Sequence, residues 1–189
     1  MAGLTEALYE AGYQGTTISL ISQRASVSKS DFYKHFESKD GCFVAAYEAA
    51  IEQIRERVLT VCAAEPRAEW ALRVRDAVFA LLTLLAGQPA LASLVLVEGP
   101  RAGRDIRDRY QAAIESFVPY LCEGAPKFPS DDAVPEEVCE AVVGGVASLL
   151  GQRVLARDSE SQESRREVLE FVLTPFLGAA EAVQVSAAG

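Results

Sequence analysis

The fold is decided between Gly12 and Asp40, where the sequence reads GYQGTTISLISQRASVSKSDFYKHFESKD. Either hydroxyl of the Thr16-Thr17 pair can cap a short amphipathic helix that follows it. Ser28 and Asp31, spaced three residues apart, have the form of a capping box and open a second, very short helix. The turn Ala25-Ser26-Val27 between them has the length found in helix-turn-helix units. This spacing predicts such a unit.

The second helix is too short to be stable alone, so its neighbours must hold it. A small shared core is expected from Ile18, Ile21, Ala25, Val27, Phe32 and Phe36. The residues left to face outward are Lys29, Ser30, Asp31, Tyr33 and Lys34. Cations, hydroxyls and one aromatic ring on a braced short helix suit insertion into the major groove of double-stranded DNA.

Charge is distributed unevenly along the chain. The net charge of −9 has the wrong sign for a generic nucleic-acid binder. Residues 16–39 nevertheless carry four cations against two anions, whereas residues 61–189 carry 12 cations against 19 anions. A small positive element is therefore joined to an acidic body, which permits DNA binding without demonstrating it.

Apolar residues at three- and four-residue spacing predict helices along almost the whole chain, with no alternating run that would indicate a sheet. Beyond a long fourth helix at about 39–62, we expect helices at 66–86, 89–100, 101–121, 135–156 and 163–183, with a loop at 123–135. The sequence thus predicts an all-α protein. The DNA-binding domain is placed at residues 1–45 and a second domain at residues 46–189, linked by the fourth helix.

Several other classes of protein find little support. The four cysteines are scattered, the single histidine is His35, and no metal site, cofactor or disulfide framework is predicted, so reduced thiols are expected. Residues 77–97 form an uncharged stretch of membrane-spanning length. Gly87-Gln88-Pro89 interrupts it, which favours two buried helices over a span. No basic segment opens the chain, so we expect a cytoplasmic protein without a secretory signal.

The segment quoted above resembles the signature of the TetR (tetracycline repressor) family of bacterial transcriptional regulators. The matching strings are Gly12-Tyr13, Thr16-Thr17, Val27-Ser28-Lys29-Ser30, Phe32-Tyr33, His35-Phe36 and Ser38-Lys39-Asp40. Looser likeness continues at Val97-Glu98-Gly99-Pro100, in 143–146 and in 173–178. The resemblance implies a nine-helix architecture, with a three-helix DNA-binding domain followed by a ligand-binding and dimerisation domain.

By this resemblance, DNA contacts are expected from Thr16, Thr17, Ser28, Lys29, Ser30, Asp31, Tyr33, Lys34, His35 and Lys39. Thr17, Tyr33, His35 and Lys39 would hold phosphates, while the remaining side chains of the short helix face base edges. Asp31 can either cap its own helix, which we favour, or accept a hydrogen bond from a cytosine. Members of the family usually carry an Arg- and Lys-rich arm before the first helix. Its absence here implies weaker anchoring or a start assigned too late.

The last two helices are the candidates for a homodimer interface, because they carry more apolar residues than one side needs. The expected interface residues are Val142, Val146, Leu149, Leu150, Val154, Val168, Phe171, Val172 and Phe176. A loosely amphipathic monomer core is the alternative. The resemblance also implies an effector cavity among the fifth to eighth helices. Its expected lining is Trp70, Arg73, Phe79, Glu98, Arg101, Tyr110, Ile114, Phe117, Cys139 and Val143.

The function that we favour is transcriptional repression. Two copies would bind a palindromic operator in double-stranded DNA, and a small hydrophobic effector would release them from it. A second hypothesis is a helical adaptor of the same fold that has lost DNA binding. The third, an enzyme, lacks a phosphate-binding loop, a catalytic triad or convergent carboxylates, and we do not favour it.

Overall fold

The computed structural model describes residues 2–64, 69–126, 134–156 and 161–187, and these ranges contain ten helices and no strand. The helices are α1 (Ala2–Gly15), α2 (Ile18–Arg24), α3 (Lys29–His35), α4 (Lys39–Ala64), α5 (Trp70–Gly87), α6 (Pro89–Arg101), α7 (Arg104–Cys122), α8 (Glu136–Ala156), α9 (Gln162–Leu177) and α10 (Ala179–Ala187). The all-α prediction is confirmed.

Helices α1 to α3 and the first turns of α4 form a small head. Thr17 caps α2 by accepting a hydrogen bond from the Leu20 amide at 3.2 Å, and Ser28 caps α3 in the same way. The buried core beneath them consists of Leu4, Ala7, Leu8, Ile21, Phe32 and Phe43. Phe32 is 4% exposed, so the seven-residue α3 is held by its buried ring rather than by its own helical stability.

Helix α4 joins the head to the larger body. Its 26 residues span about 39 Å at 1.5 Å per residue. Cys42 and Phe43, near its start, are buried in the head, and Ile54 and Val58 are buried farther along in the body. One continuous helix thus contributes buried residues to both the head and the body.

The uncharged stretch 77–97 is broken as the sequence indicates. Helices α5 and α6 are bent by 106° across Gln88, with Pro89 in the first turn of α6. Leu94–Glu98 within α6 form a π turn, a departure that is frequent at functional sites. By length and composition, α8 is the one described helix that could itself cross a membrane, and 22% of its apolar window is buried in the chain.

Two helix boundaries differ from the sequence-based expectation. Helix α7 begins at Arg104 rather than Arg101, because the extended backbone of Gly103 interrupts the chain. The predicted ninth helix is divided into α9 and α10 at Gly178, whose φ of +79° is a left-handed conformation that favours glycine. Helix α10 continues to Ala187, beyond the expected end of the last helix at residue 183. The expected start of the fifth helix at Pro66 lies outside the described residues.

The expectation of four reduced thiols is wrong for two of them. Cys122 at the end of α7 and Cys139 near the start of α8 form a disulfide with a Cα–Cα distance of 6.0 Å. The 17-residue separation carried no motif, but the packing of α7 against α8 brings the two sulfur atoms together. Cys42 and Cys62 are free thiols, and burial raises the pKa of both.

The disulfide predicts a measurable contribution to stability. The double variant Cys122→Ala/Cys139→Ala is expected to lose about 3 kcal/mol of unfolding free energy, because the cross-link restricts a loop of this length in the unfolded chain. Urea denaturation of the oxidised wild type and the variant measures the difference. Reductant should bring the wild type to the variant's midpoint, and Cys62→Ala should keep that response. If reductant left the urea midpoint of the oxidised wild type unchanged, that result would contradict the cross-link.

Candidate DNA-binding surface and effector cavity

The outer face of α3 carries most of the residues predicted to contact DNA. Ser28, Lys29, Ser30, Tyr33, Lys34 and His35 are exposed, and the Tyr33 ring is 57% exposed. The Phe32 ring lies beneath them and packs edge-on against Tyr33, with 5.6 Å between ring centroids. Because Phe32 is buried, the rotation of α3 about its axis is set and the polar side faces outward.

Asp31 belongs to the cap of α3. The Ser28 hydroxyl accepts a hydrogen bond from the Asp31 amide at 3.0 Å and donates to the Asp31 carboxylate at 2.7 Å. The Lys34 ammonium lies 2.6 Å from the same carboxylate. These contacts, Lys34 first and Ser28 second, lower the pKa of Asp31. The favoured reading of Asp31 as a cap therefore agrees with the geometry.

Two predicted DNA contacts are engaged inside the protein. Thr16 is 2% exposed and its hydroxyl donates to the Gly12 carbonyl at 2.8 Å, so its side chain is withdrawn from the outer surface. This corrects the expectation for Thr16, whereas Thr17 is exposed at the start of α2. Lys39 donates to the Tyr13 carbonyl at 2.9 Å, and two of its three donors remain.

Tyr13 joins the head to the body. Its amide donates to the Glu98 carboxylate of α6 at 2.9 Å, and its hydroxyl donates to Asp40. The Lys39 ammonium lies 4.1 Å from the centroid of the Tyr13 ring. Burial, with Asp40 as the second cause, raises the pKa of Tyr13 to about 12. The phenol therefore stays protonated at neutral pH and keeps donating to Asp40.

A largely apolar cavity of about 410 Å³ lies in the body. Its walls come from α4, α5, α6, α7, α8 and α9. The outer end, at the C-terminal part of α4, is lined by Cys62, Arg73, Tyr120 and Glu123, and the inner end contains Tyr47 and Tyr110. A concave apolar site of this size with few polar groups is typical of small-molecule sites.

Five of the ten candidate lining residues lie in the wall of this cavity. Arg73, Tyr110, Ile114, Phe117 and Val143 line the cavity. The other five are engaged elsewhere, which corrects the expectation for Trp70, Phe79, Glu98, Arg101 and Cys139.

Each of these five has a different role or position. The Trp70 indole donates to the Leu121 carbonyl at 2.8 Å, and its ring packs on Phe176. Phe79 faces a separate surface cleft shared with α9 and α10. Glu98 holds Tyr13, Arg101 is exposed, and Cys139 is in the disulfide.

Sequence reasoning missed the wall that α4 contributes. Tyr47, Ile51, Ile54 and Val58 line the cavity, although they read simply as the apolar stripe of a linking helix. The signal was the length of that stripe, which continues three turns past the head. A helix that leaves one domain with an apolar face must bury that face in the next.

The predicted dimer residues are corrected in part. Burial within a single chain already accounts for Val142, Leu150, Val168, Val172 and Phe176. Val146, Leu149 and Val154 are partly exposed, and Phe171 is 43% exposed. The apolar excess of the last two helices thus fills the monomer core and cavity wall first, and a smaller outer face remains.

That outer face is formed by α8 and α9. The Phe171 ring lies directly over Gly145, where a β-carbon would come within 2.6 Å of it. Along α8 the exposed positions Ala141, Ser148 and Leu155 follow helical spacing, and Leu155 is 53% exposed. Small residues beside two exposed large apolar side chains make a face that another helix can approach closely.

Comparison with known proteins agrees with this geometry. Residues 1–46 match the family model described as bacterial regulatory proteins, tetR family. An HTH-type transcriptional regulator of Mycobacterium bovis, itself uncharacterised, is 24% identical over 181 residues, which cover 91% of this chain and 89% of the relative. A counterpart in Mycobacterium tuberculosis matches equally well.

Solved structures share the fold over nearly the whole chain. The fatty acid degradation regulator FadR from Bacillus halodurans has a TM-score of 0.74 at 14% identity, covering 93% of this chain and 92% of that one. FadR from Bacillus subtilis in complex with stearoyl-CoA has a TM-score of 0.71 at 15% identity, covering 93% and 95%.

A TetR-like regulator from Rhodococcus sp. RHA1 has a TM-score of 0.72 at 18% identity, covering 93% and 92%. The relatives and the family are transcriptional regulators, not enzymes. With the helix-turn-helix geometry of α2 and α3, these matches show that residues 1–46 are similar to the DNA-binding segment of the tetR family and that the chain shares the fold of TetR-like regulators.

Proposed function

We propose that this protein is a cytoplasmic repressor: two copies hold a palindromic operator in double-stranded DNA, and an apolar effector in the body cavity releases them. Residues 1–45 act as the DNA-binding domain, residues 46–189 act as the effector and dimer domain, and α4 links them. The observation that carries the proposal is the polar outer face of α3, braced by buried Phe32.

The exposed residues of α3 divide into two roles. Tyr33, His35, Thr17 and Lys39 contact phosphates, which sets the position of the head on the duplex. Lys29, Ser30 and Lys34 face base edges in the major groove. The Lys34–Asp31 pair is no obstacle, because ion pairs between exposed side chains contribute little and exchange readily. Thr16 supports this surface indirectly through its bond to Gly12.

Substitutions on α3 are expected to weaken DNA binding in two different ways. Tyr33→Ala should weaken binding to all sequences alike, whereas Lys34→Ala should cost about 1–3 kcal/mol at one base position and relax preference there. Fluorescence anisotropy with DNA upstream of its own gene, at several salt concentrations, measures both. Arg107→Ala, which removes an exposed cation from α7, is the matched control and should change little. A wild type with no preference over random DNA would favour the adaptor hypothesis.

The cavity supports an amphipathic effector with a long apolar part. Arg73 at the outer end donates to the Glu123 carbonyl and supplies positive charge there, while the walls farther in are apolar. Since the similar FadR structure is described in complex with stearoyl-CoA, a fatty acyl compound is the first class to test. Such a ligand releases DNA only to the extent that it prefers the conformation that does not bind the operator.

A substitution that fills the cavity should abolish the response to the effector and leave DNA binding intact. Ala77 lines the cavity on α5, and Ala77→Phe should remove the space that the acyl chain needs. Stearoyl-CoA should lower operator affinity of the wild type at least about fivefold, the lower end of usual allosteric coupling, and leave the variant unchanged. Ala86→Phe on the exposed side of α5 is the control. An unaltered response in folded Ala77→Phe would place the effector elsewhere.

The outer face of α8 and α9 supports a homodimer. Helix α8 is apolar enough to span a membrane, yet only 22% of its apolar window is buried by its own chain. Exposed Phe171, which lies over Gly145, and exposed Leu155 farther along α8 leave an apolar surface that a second copy can cover. A symmetric pair would give a four-helix bundle and place two copies of α3 on one side.

Disruption of this face predicts monomers with weak DNA binding. Phe171→Glu places a charge where the second copy should pack, so light scattering after size-exclusion chromatography should show half the wild-type mass. Operator affinity should fall together with the dimer, because each copy then holds a single half-site. Val183→Glu, on exposed α10, should leave the mass unchanged. A Phe171→Glu variant that remains dimeric would show that the interface lies on another face.

A further inference from the structure

The inner end of the cavity contains one polar atom that the protein leaves unpaired. Tyr47 is 1% exposed and lines the cavity, yet its hydroxyl has no hydrogen-bond partner among the described residues. A buried hydroxyl without a partner is costly, and such groups in native proteins generally have a bound partner or a functional reason. The proposed function of the cavity as an effector site supplies such a reason.

The Tyr47 ring cannot move away to satisfy its hydroxyl elsewhere. On one side a β-carbon at Gly99 would lie 2.5 Å from Tyr47 Cε2, so the ring presses against the α6 backbone. On another side it stacks on Phe43, with centroids 6.4 Å apart and an interplanar angle of 11°. The hydroxyl is therefore fixed at the inner end before any ligand arrives, which lowers the entropic cost of a hydrogen bond to it.

Apart from the nearby phenol of Tyr110, the cavity wall is largely apolar. Leu85, Val95 and Leu150 also line the cavity, and all three are buried. Burial first, and nearby Tyr110 second, raise the pKa of Tyr47, so its hydroxyl remains a neutral donor and acceptor. Neutral phenols in a largely apolar wall fix the orientation of a ligand and select for a matching oxygen.

The distance between the two ends limits the shape of the ligand. Tyr47 and Cys62 both line the cavity, and the 15 residues of α4 that separate them correspond to about 22 Å. Arg73 and Glu123 place the polar groups at the outer end. A molecule whose head group lies there reaches Tyr47 only with the far end of a long chain.

We propose that the effector is a long-chain lipid that carries a second oxygen, as a hydroxyl or carbonyl, at the end of the chain farthest from its head group. This oxygen hydrogen-bonds to the Tyr47 hydroxyl. The inference rests on the proposed function of the cavity, and it specifies the ligand class more narrowly: a plain saturated chain would leave Tyr47 unpaired and bind less tightly.

The test compares two probes that differ in one oxygen, hexadecanoic acid and 16-hydroxyhexadecanoic acid, on the full-length protein. Trp70, the only tryptophan, donates to the carbonyl of cavity-lining Leu121, so its fluorescence reports binding. The hydroxylated probe should bind the wild type more tightly. Tyr47→Phe should lower the affinity for the hydroxylated probe about tenfold relative to the affinity for hexadecanoic acid, because the terminal oxygen of the hydroxylated probe then has no partner. Tyr120→Phe, at the outer end, should leave the ratio unchanged.

Stability in the absence of ligand is the second measurement. Tyr47→Phe removes only an unpaired oxygen, so its melting temperature should equal or exceed that of the wild type. A marked decrease would show that the hydroxyl has a partner in the free protein and would overturn the inference. Equal ratios in wild type and Tyr47→Phe would also overturn it, while binding of both probes would leave the cavity's proposed function intact. Failure of both probes to bind would reject the long-chain class, whereas the operator assay tests DNA binding separately.

Discussion

The hydrogen bond from the Tyr13 amide to Glu98 is the contact on which the arrangement of head and body depends. Helix α1 is kinked at Gly12, whose φ is +64°, and the amide that follows turns to the Glu98 carboxylate. Lys39 braces the same residue through its carbonyl and its ring. The Tyr13 ring also packs edge-on against Phe43, with centroids 5.0 Å apart. A small domain with a modest core thus obtains a defined position relative to its partner domain.

Helix α6 lies between the cavity and this contact. Val95 and Leu96 line the cavity, and Glu98, within the same π turn, holds Tyr13. Gly99 supports the Tyr47 ring at the next position. In the proposed function, a ligand that displaced this turn would change the position of the head by direct contact, without a long chain of intermediates. Coupling between two sites requires a structural element that both of them contact. The π turn of α6 is such an element, because the cavity and the Tyr13 contact both act on its conformational equilibrium.

Local features were predictable from sequence because they depend on residues close together in the chain. The caps at Thr17 and Ser28, the break at Gln88–Pro89 and the bracing of α3 by Phe32 follow from spacing and side-chain chemistry. Features that depend on which helices become neighbours were less accessible. The cross-link between Cys122 and Cys139 and the α4 wall of the cavity both arise from packing between distant segments.

The dimer residues show why periodicity alone is not enough. A helical pattern indicates that a face is apolar, but it does not say which partner covers that face. Val142, Leu150 and Val172 were assigned to a second copy, whereas the cavity of their own chain already accounts for them. The exposed fraction of a side chain, as for Phe171, distinguishes a residue that is free to contact a second copy from one that is buried in its own chain.

The unequal distribution of charge affects how the protein finds its operator. Lys29 and Lys34 on α3 and Lys39 at the start of α4 lie in the head, whereas the whole chain has a net charge of −9. Because DNA phosphates repel acidic surfaces, the binding mode proposed above presents the α3 side of the head to the duplex and keeps the acidic remainder of the chain away from it. Operator binding of this kind would depend on the contacts of α3 more than on general attraction to the DNA backbone.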